Sequence, residues 1–178
     1  KDTTSKPYIY DINHVGKQIN TKMNESGAVK IDSLILFART IHISKSESKN
    51  ALFSEYILTQ IYQSRYLKNG KLAKSLLNEW GFNDTRMHSG NIAYDPYSKT
   101  IYFTLCDAEY SGTGNMCGIY MSEYRDKKWS KPQKVASDVN IEGYTSTQPT
   151  VGHTEGKTLL YYASDRPGGS GGLDIWYV

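Results

Sequence analysis

The residues that could do chemistry are few and scattered. Cys106 and Cys117 lie eleven positions apart, flanking a Gly/Ser/Asn-rich stretch between two apolar runs. That spacing can set them opposite each other across a hairpin, where a disulfide is feasible; two half-buried free thiols satisfy the spacing equally. Gly168-Gly169-Ser170-Gly171-Gly172 formally fits G-x-S-x-G. A nucleophile elbow, however, needs a strand before it, a helix after it, and acid and His partners downstream. Here a strand pattern follows and no His lies beyond His153, so the run reads as a turn that exploits glycine's access to positive φ. His14, His42, His88 and His153 show neither i, i+4 spacing nor cysteine neighbours in a zinc pattern, which assigns them structural or exposed roles. Asp165, beside Arg166, and Asp174, beyond the glycines, lack the D-x-[DN]-x-[DN]-G spacing of a calcium loop. Their carboxylates are expected to accept backbone N–H bonds that hold the turn. Asp32, Asp95 and Glu155 fall in inter-strand turns and form no recognisable acid pair of the kind glycoside hydrolysis requires. The sequence therefore points to no catalytic residue, no metal and no cofactor.

The elements around these residues are strands and turns. Thr158 to Ala163 and Leu173 to Val178 are apolar runs separated by the turn cluster Ser164 to Gly172, and Gln148 to Val151 leads in from another turn at Gly152 to Lys157. Three antiparallel strands in some thirty residues is the expectation for this stretch. The same layout recurs from Ser26 to Arg39 and from Ser89 to Thr104. Each copy has a short strand, a turn and a hydrophobic strand ending in Phe-Ala, Phe-Thr or Tyr-Ala. Aligning Ser26, Ser89 and Thr147 spaces the copies by 63 and 58 residues. Hairpins follow at matching places: Phe53 to Tyr66 closed by Lys68-Asn69-Gly70-Lys71, and Gly118 to Tyr124 followed by Arg125 to Lys128 and Trp129. Four strands per repeat is the consequence. Tyr8 to Ile12 reads as one more strand, with a turn near His14 to Lys17. Over Asn69 to Trp80 a short helix competes, because Leu72, Leu76 and Leu77 fall near one helical face. The aromatics Tyr102, Phe103, Tyr120, Tyr161, Tyr162 and Trp176 alternate with smaller residues and read as core between the sheets.

The run Tyr162-Ala163-Ser164-Asp165-Arg166-Pro167-Gly168-Gly169-Ser170-Gly171-Gly172-Leu173-Asp174-Ile175-Trp176 resembles the signature of the TolB-like, WD-like β-propeller repeat. That repeat is found in periplasmic and outer-membrane lipoproteins. The form with Arg-Pro-Gly-Gly and a closing Asp-Ile-Trp is most typical of OmpA-family proteins of Bacteroidota, some of which belong to type IX secretion and gliding machinery. The third copy matches over nearly its whole length. The second keeps Lys99-Thr100-Ile101-Tyr102-Phe103-Thr104 but has Cys106 to Asn115 in place of the Arg-Pro-Gly-Gly turn, and the first has no glycine after Arg39. The resemblance implies an all-β, β-propeller fold with about three four-stranded blade repeats, divided as 1–25 (second half of a preceding blade), 26–88, 89–146 and 147–178 (an incomplete blade). Propellers close with about 4 to 8 blades, so the chain is expected to be a segment of a larger one, completed by the same polypeptide or a partner. An exported location, also implied, favours the Cys106–Cys117 bridge.

Composition agrees. A net charge of +3 with dispersed Lys and Arg offers no basic run for nucleic acid, and no stretch approaches the roughly 18 to 20 apolar residues that span a bilayer as a helix. Lys1 to Pro7 has no apolar h-region, so an export signal is expected to have been removed or to lie outside the sequence. The function expected is a non-catalytic protein-binding or scaffolding propeller of the periplasm or outer membrane, working with other envelope proteins. The alternative is the propeller domain of a secreted glycan hydrolase or peptidase.

Overall fold

A computed structural model describes residues 10–43, 56–107 and 116–178. The described residues are all-β and form three antiparallel sheets. Sheet 1 contains β1 (Glu25–Ile31), β2 (Leu34–Ile43), β3 (Tyr56–Arg65) and β4 (Leu76–Leu77) in that order. Sheet 2 contains β5 (Met87–Asp95), β6 (Thr100–Asp107) and β7 (Cys117–Arg125), with the two-residue strands β8 (Lys128–Trp129) and β9 (Gln133–Lys134) both pairing β7. Sheet 3 contains β10 (Ser146–Thr154), β11 (Lys157–Ser164) and β12 (Asp174–Tyr177).

The same register irregularity marks all three sheets. The first strand of each carries a β-bulge, between Ser26 and Val29, Gly90 and Ala93, and Thr147 and Thr150. The next residue in each, Gly27, Asn91 or Gln148, has positive φ (61°, 49° and 53°). A bulge bends its strand and adds local twist, so the repeat is one of backbone geometry as much as of sequence. Pairings across the bulge equate Ala38, Thr104 and Ala163, and with them the preceding Phe37, Phe103 and Tyr162.

The sheets stack face to face, and the core lies in the two seams. Between sheets 1 and 2 are Ile31, Leu36, Ile61, Phe82, Ile101 and Phe103, with Phe82 and Phe103 stacked at 4.8 Å. Between sheets 2 and 3 are Ile119, Val139, Leu160 and Tyr162. Sheet 2 is covered on both faces, so β6 is apolar on both sides: Ile101 and Phe103 point into the first seam while Tyr102 packs into the second.

Several expectations change. Register equates Ser26 with Gly90 rather than with Ser89, because Ser26 pairs with Ala38 and Gly90 with Thr104, the equivalent residues of the second strands. The lead-in strand of sheet 3 is nine residues long rather than four, since β11 pairs with it from Ser146 to Thr154. Sheet 2 has five strands, two of them very short, and sheet 3 has three. Of the strand expected at Tyr8–Ile12, residues 8 and 9 lie outside the described residues, and 10–12 are not strand. Ile12 is 92% exposed, and an extended segment becomes a strand only by joining a ladder. The beginning of the expected Phe53–Tyr66 run likewise lies outside the described residues. No helix forms over Asn69–Trp80. The backbone there bonds outward instead: Ala73 N–H to Arg65 O, Ser75 N–H to Gln18 O, and Leu76 and Leu77 paired with Gln63 and Tyr62. Those ladder bonds use the groups an i→i−4 helix would need.

Candidate functional site

The signature turn is held by its own side chains. Asp174 Oδ2 accepts the N–H groups of Ser170 (2.9 Å) and Gly171 (3.1 Å). A Cβ on Gly169 would overlap that carboxylate, and Gly168 has φ +97°, so both glycines are required by the turn. Pro167 separates them from Arg166, while nothing stands within 4 Å of a Cβ built on Gly171 or Gly172. Asp165 Oδ1 accepts Thr145 N–H at 2.7 Å. These carboxylates thus fasten backbone. Ser170 sits between two strands with no helix following, which removes the elbow geometry.

Arg166 reaches out of the turn to the segment that precedes sheet 3. Its guanidinium donates to Asp138 O (2.6 Å) and to Val139 O, and lies over the rings of Tyr162 (4.9 Å) and Trp176 (5.4 Å). In sheet 1, Arg39 donates to Ile19 O and to Ser75 Oγ, pairs with Glu25 at 2.9 Å, and lies over Phe37 and Tyr62. Burial pushes the Glu25 carboxyl up, but the Thr21 hydroxyl and amide and the Arg39 guanidinium outweigh it and hold it below its usual value.

Asparagines in the linkers form a second set of clamps. Asn83 accepts Ile61 N–H (2.7 Å) and donates to Ile61 O (3.0 Å), and Asn140 does the same to Ile119 at the same two distances. Each reaches back 22 or 21 residues. A carboxamide carries one donor and one acceptor side like a peptide group, so each completes the outer ladder of a third strand. Sequence reading missed this pair; the only signal is an apolar residue followed by Asn, as in Ile19-Asn20, Phe82-Asn83 and Val139-Asn140, before each sheet.

Sheet 2 has neither arginine clamp, since Leu105 and Asp107 occupy the corresponding registers. There Cys106 and Cys117, directly opposed across β6 and β7, form a disulfide (S–S 2.03 Å) that ties the strand ends. Two histidines lie at the seams: His88 Nδ1 accepts Thr59 N–H at 3.1 Å across the first, and His153 Nε2 stands 3.3 Å from Asp95 Oδ1 beside the second. His14 bonds locally to Gly16 N–H and Asn20, and His42 is exposed on β2. Asp95 is buried and spent on its own turn, accepting Tyr97 N–H and the Ser98 hydroxyl, while Asp32 and Glu155 are exposed turn residues with positive φ. No group of three or more His, Cys, Asp or Glu among the described residues is placed to hold a metal ion.

What remains is a surface. Residues facing the next sheet are Leu36 and Ile61 in sheet 1 and Tyr102 and Ile119 in sheet 2; register assigns Tyr161 and Ile175 to those places in sheet 3. Leu36, Ile61 and Ile119 have no exposure, whereas Ile175 is 75% and Tyr161 37% exposed, with Tyr177 (69%) alongside. Tyr161 is thus the one of the six expected core aromatics that turns outward, because nothing described here packs on its face. Comparison with protein-family models, with curated proteins and with solved structures finds no match.

Proposed function

We propose that this chain is a sector of a TolB-like β-propeller that serves as a non-catalytic binding and scaffolding module of the bacterial cell envelope, in the manner of OmpA-family lipoproteins. The observation that carries this reading is the outer face of sheet 3. Tyr161 and Ile175 stand exposed where the two preceding sheets bury their counterparts in a seam. Burial of side chains of this size stabilises by about 1.5–3 kcal/mol each, which favours occupation by a further sheet of the same kind, from the same polypeptide or a partner envelope protein. The acidic residues considered for catalysis are spent on turns or lie apart on the surface, which supports a binding rather than a hydrolytic role. The disulfide fits an oxidising compartment such as the periplasm. Among the described residues no helix is long and apolar enough to cross a membrane.

Photo-crosslinking in cells of the source organism tests the reading. A photoreactive side chain at position 175 should give a discrete adduct, either to another sheet of the same polypeptide or to an envelope protein. One at the exposed Lys157 should give none. If position 175 labels nothing and the protein fractionates away from the envelope, the scaffold reading is wrong.

A further inference from the structure

A cleft of about 610 Å³ opens between sheets 1 and 2 at the end where the two-residue turns lie. Its floor is aromatic. Trp129 stands 5.2 Å from Trp80, 5.2 Å from Tyr124 and 6.4 Å from Tyr94, ring centre to ring centre. These rings are only partly buried. The wall from sheet 1 carries Asp32, Ser33 and Glu79, and the wall from sheet 2 carries Lys99, Lys127 and Lys128.

The charged rim of the cleft is presented by tight hairpin turns. Three of its charged wall residues, Asp32, Lys99 and Lys127, adopt positive φ (49°, 54° and 64°). Glycine takes that conformation without steric cost, while side chains other than Asn and Asp are disfavoured there by about 1 kcal/mol or more; both lysines are nonetheless presented at the rim. Among the described residues, both indole N–H groups, the Tyr94 and Tyr124 hydroxyls, the three ammonium groups and the two carboxylates of the site accept or donate no hydrogen bond and form no ion pair, although Asp32 lies near enough to Tyr94 to act on it electrostatically.

Half-exposed aromatic planes surrounded by unspent donors and acceptors suit a ligand with an apolar face and a polar circumference. A pyranose has that form, its C–H face stacking on the ring and its hydroxyls reaching the rim. A peptide is less suited. The backbone here is already bonded within turns, with Ser33 O and Lys99 O accepting Tyr66 and Tyr124 N–H, so no sheet edge is offered for strand addition. The three lysines on one wall add a preference for negative charge. Trp80 and Trp129 are stacked on each other, with 28° between their planes, so the pair offers one outward ring face. We propose that this cleft binds an acidic saccharide, stacked on that outward face and presenting a carboxylate or sulfate to Lys99, Lys127 and Lys128. The site is independent of the scaffold reading and of the exposed face of sheet 3.

The test is titration of the chain with oligogalacturonate and with chondroitin sulfate oligosaccharides, followed by tryptophan fluorescence and calorimetry. Neutral cello-oligosaccharide and poly-glutamate serve as controls. Saturable binding of one or both acidic saccharides is expected, and the two arms distinguish carboxylate from sulfate. Lys99→Glu and Lys127→Glu should each weaken binding by about tenfold, the equivalent of one charge-assisted contact, with an unchanged unfolding midpoint. Trp129→Leu should abolish it, although it also removes core packing, so the lysine variants carry the decision. No saturable binding of either acidic saccharide would overturn the proposal. So would equal binding of poly-glutamate or of the neutral saccharide, or lysine variants that bind like the parent.

Discussion

Arg39 and Arg166 stand two register positions apart in their sheets, yet their guanidinium groups occupy the same place. Arg39 pairs with Glu25 at the register where sheet 3 has Ser164, and Arg166 lies beyond that residue. Both nevertheless donate to the carbonyl before a linker asparagine, Ile19 O or Val139 O, and both rest on an equivalent cross-strand aromatic pair, Phe37–Tyr62 or Tyr162–Trp176. What recurs is the acceptor and the aromatic bed, reached from either position by a long side chain.

The two arginines should not cost the same to remove. Arg39→Ala removes the ion pair of the half-buried Glu25, which keeps its bonds from Thr21, and leaves Ile19 O without its donor, for an expected loss of about 2–3 kcal/mol. In Arg166→Ala, Val139 O keeps its bond from the Ser146 hydroxyl, so the loss should be about 1–2 kcal/mol. Urea denaturation of both variants gives the comparison; equal losses would contradict it.

The linker asparagines give a sharper contrast. Asn140→Ala removes one acceptor and two donors from a buried site, an expected cost of about 2–3 kcal/mol. Asn140→Asp should be worse at neutral pH, because a carboxylate would face the carbonyls of Ile119 and Val135 with no proton to donate. Thermal midpoints ranking Asp above Ala would refute the bracket.

Ser89 and Ser146 share a register but have opposite prospects. Ser146 Oγ donates to Val139 O at 2.6 Å, whereas the buried Ser89 Oγ has no partner. Ser146→Ala should therefore destabilise by about 1 kcal/mol, and Ser89→Ala should be neutral or stabilising. The sign of the difference in unfolding free energy decides it.

Reduction isolates the contribution of the bridge. Cys106→Ser with Cys117→Ser reopens a short loop and should lower stability by about 2–3 kcal/mol on the loop-entropy account. Protease nicking should then begin in sheet 2, which has no arginine clamp to compensate.

Acid should weaken the fold in two stages. Burial pushes the His88 ring below its ordinary pKa, so the native state keeps it neutral while the unfolded chain takes up a proton below about pH 6.5. Stability therefore declines from that point downward. Burial raises the Asp95 carboxyl, but bonds from Ser98 and Tyr97 outweigh it, and Asp95, like Glu25, ends depressed. Their contribution is present above about pH 4 and is lost as pH falls through the lower native values. His88→Gln should flatten the first stage in urea-midpoint measurements and leave the second intact.

The repeat could be read from Phe37-Ala38, Phe103-Thr104 and Tyr162-Ala163 because every sheet demands a buried aromatic and then a small residue at the same register. The turn at Asp165 to Asp174 was equally open to reading, since its glycines and carboxylates act on one another locally. Asn83 and Asn140 were not, because asparagine is ordinary in a linker and its role depends on a strand some twenty residues upstream. Arg39 and Arg166 escaped pairing because they come from different registers. Leu72, Leu76 and Leu77 suggested a helix until β3 claimed their backbone. The cleft stayed hidden because Trp80 and Trp129 are far apart in the sequence, and only the stacking of sheets 1 and 2 brings their half-open rings together.

The asparagine bracket also bears on solubility. An outermost strand exposes a row of free N–H and C=O groups, the template on which a foreign strand adds and from which fibrils grow. At Ile61 and Ile119 those groups are occupied by a side chain that cannot extend into a further ladder. Ile175 has no such cover among the described residues, so the outer margin of β12 is where misassembly of the isolated chain would begin.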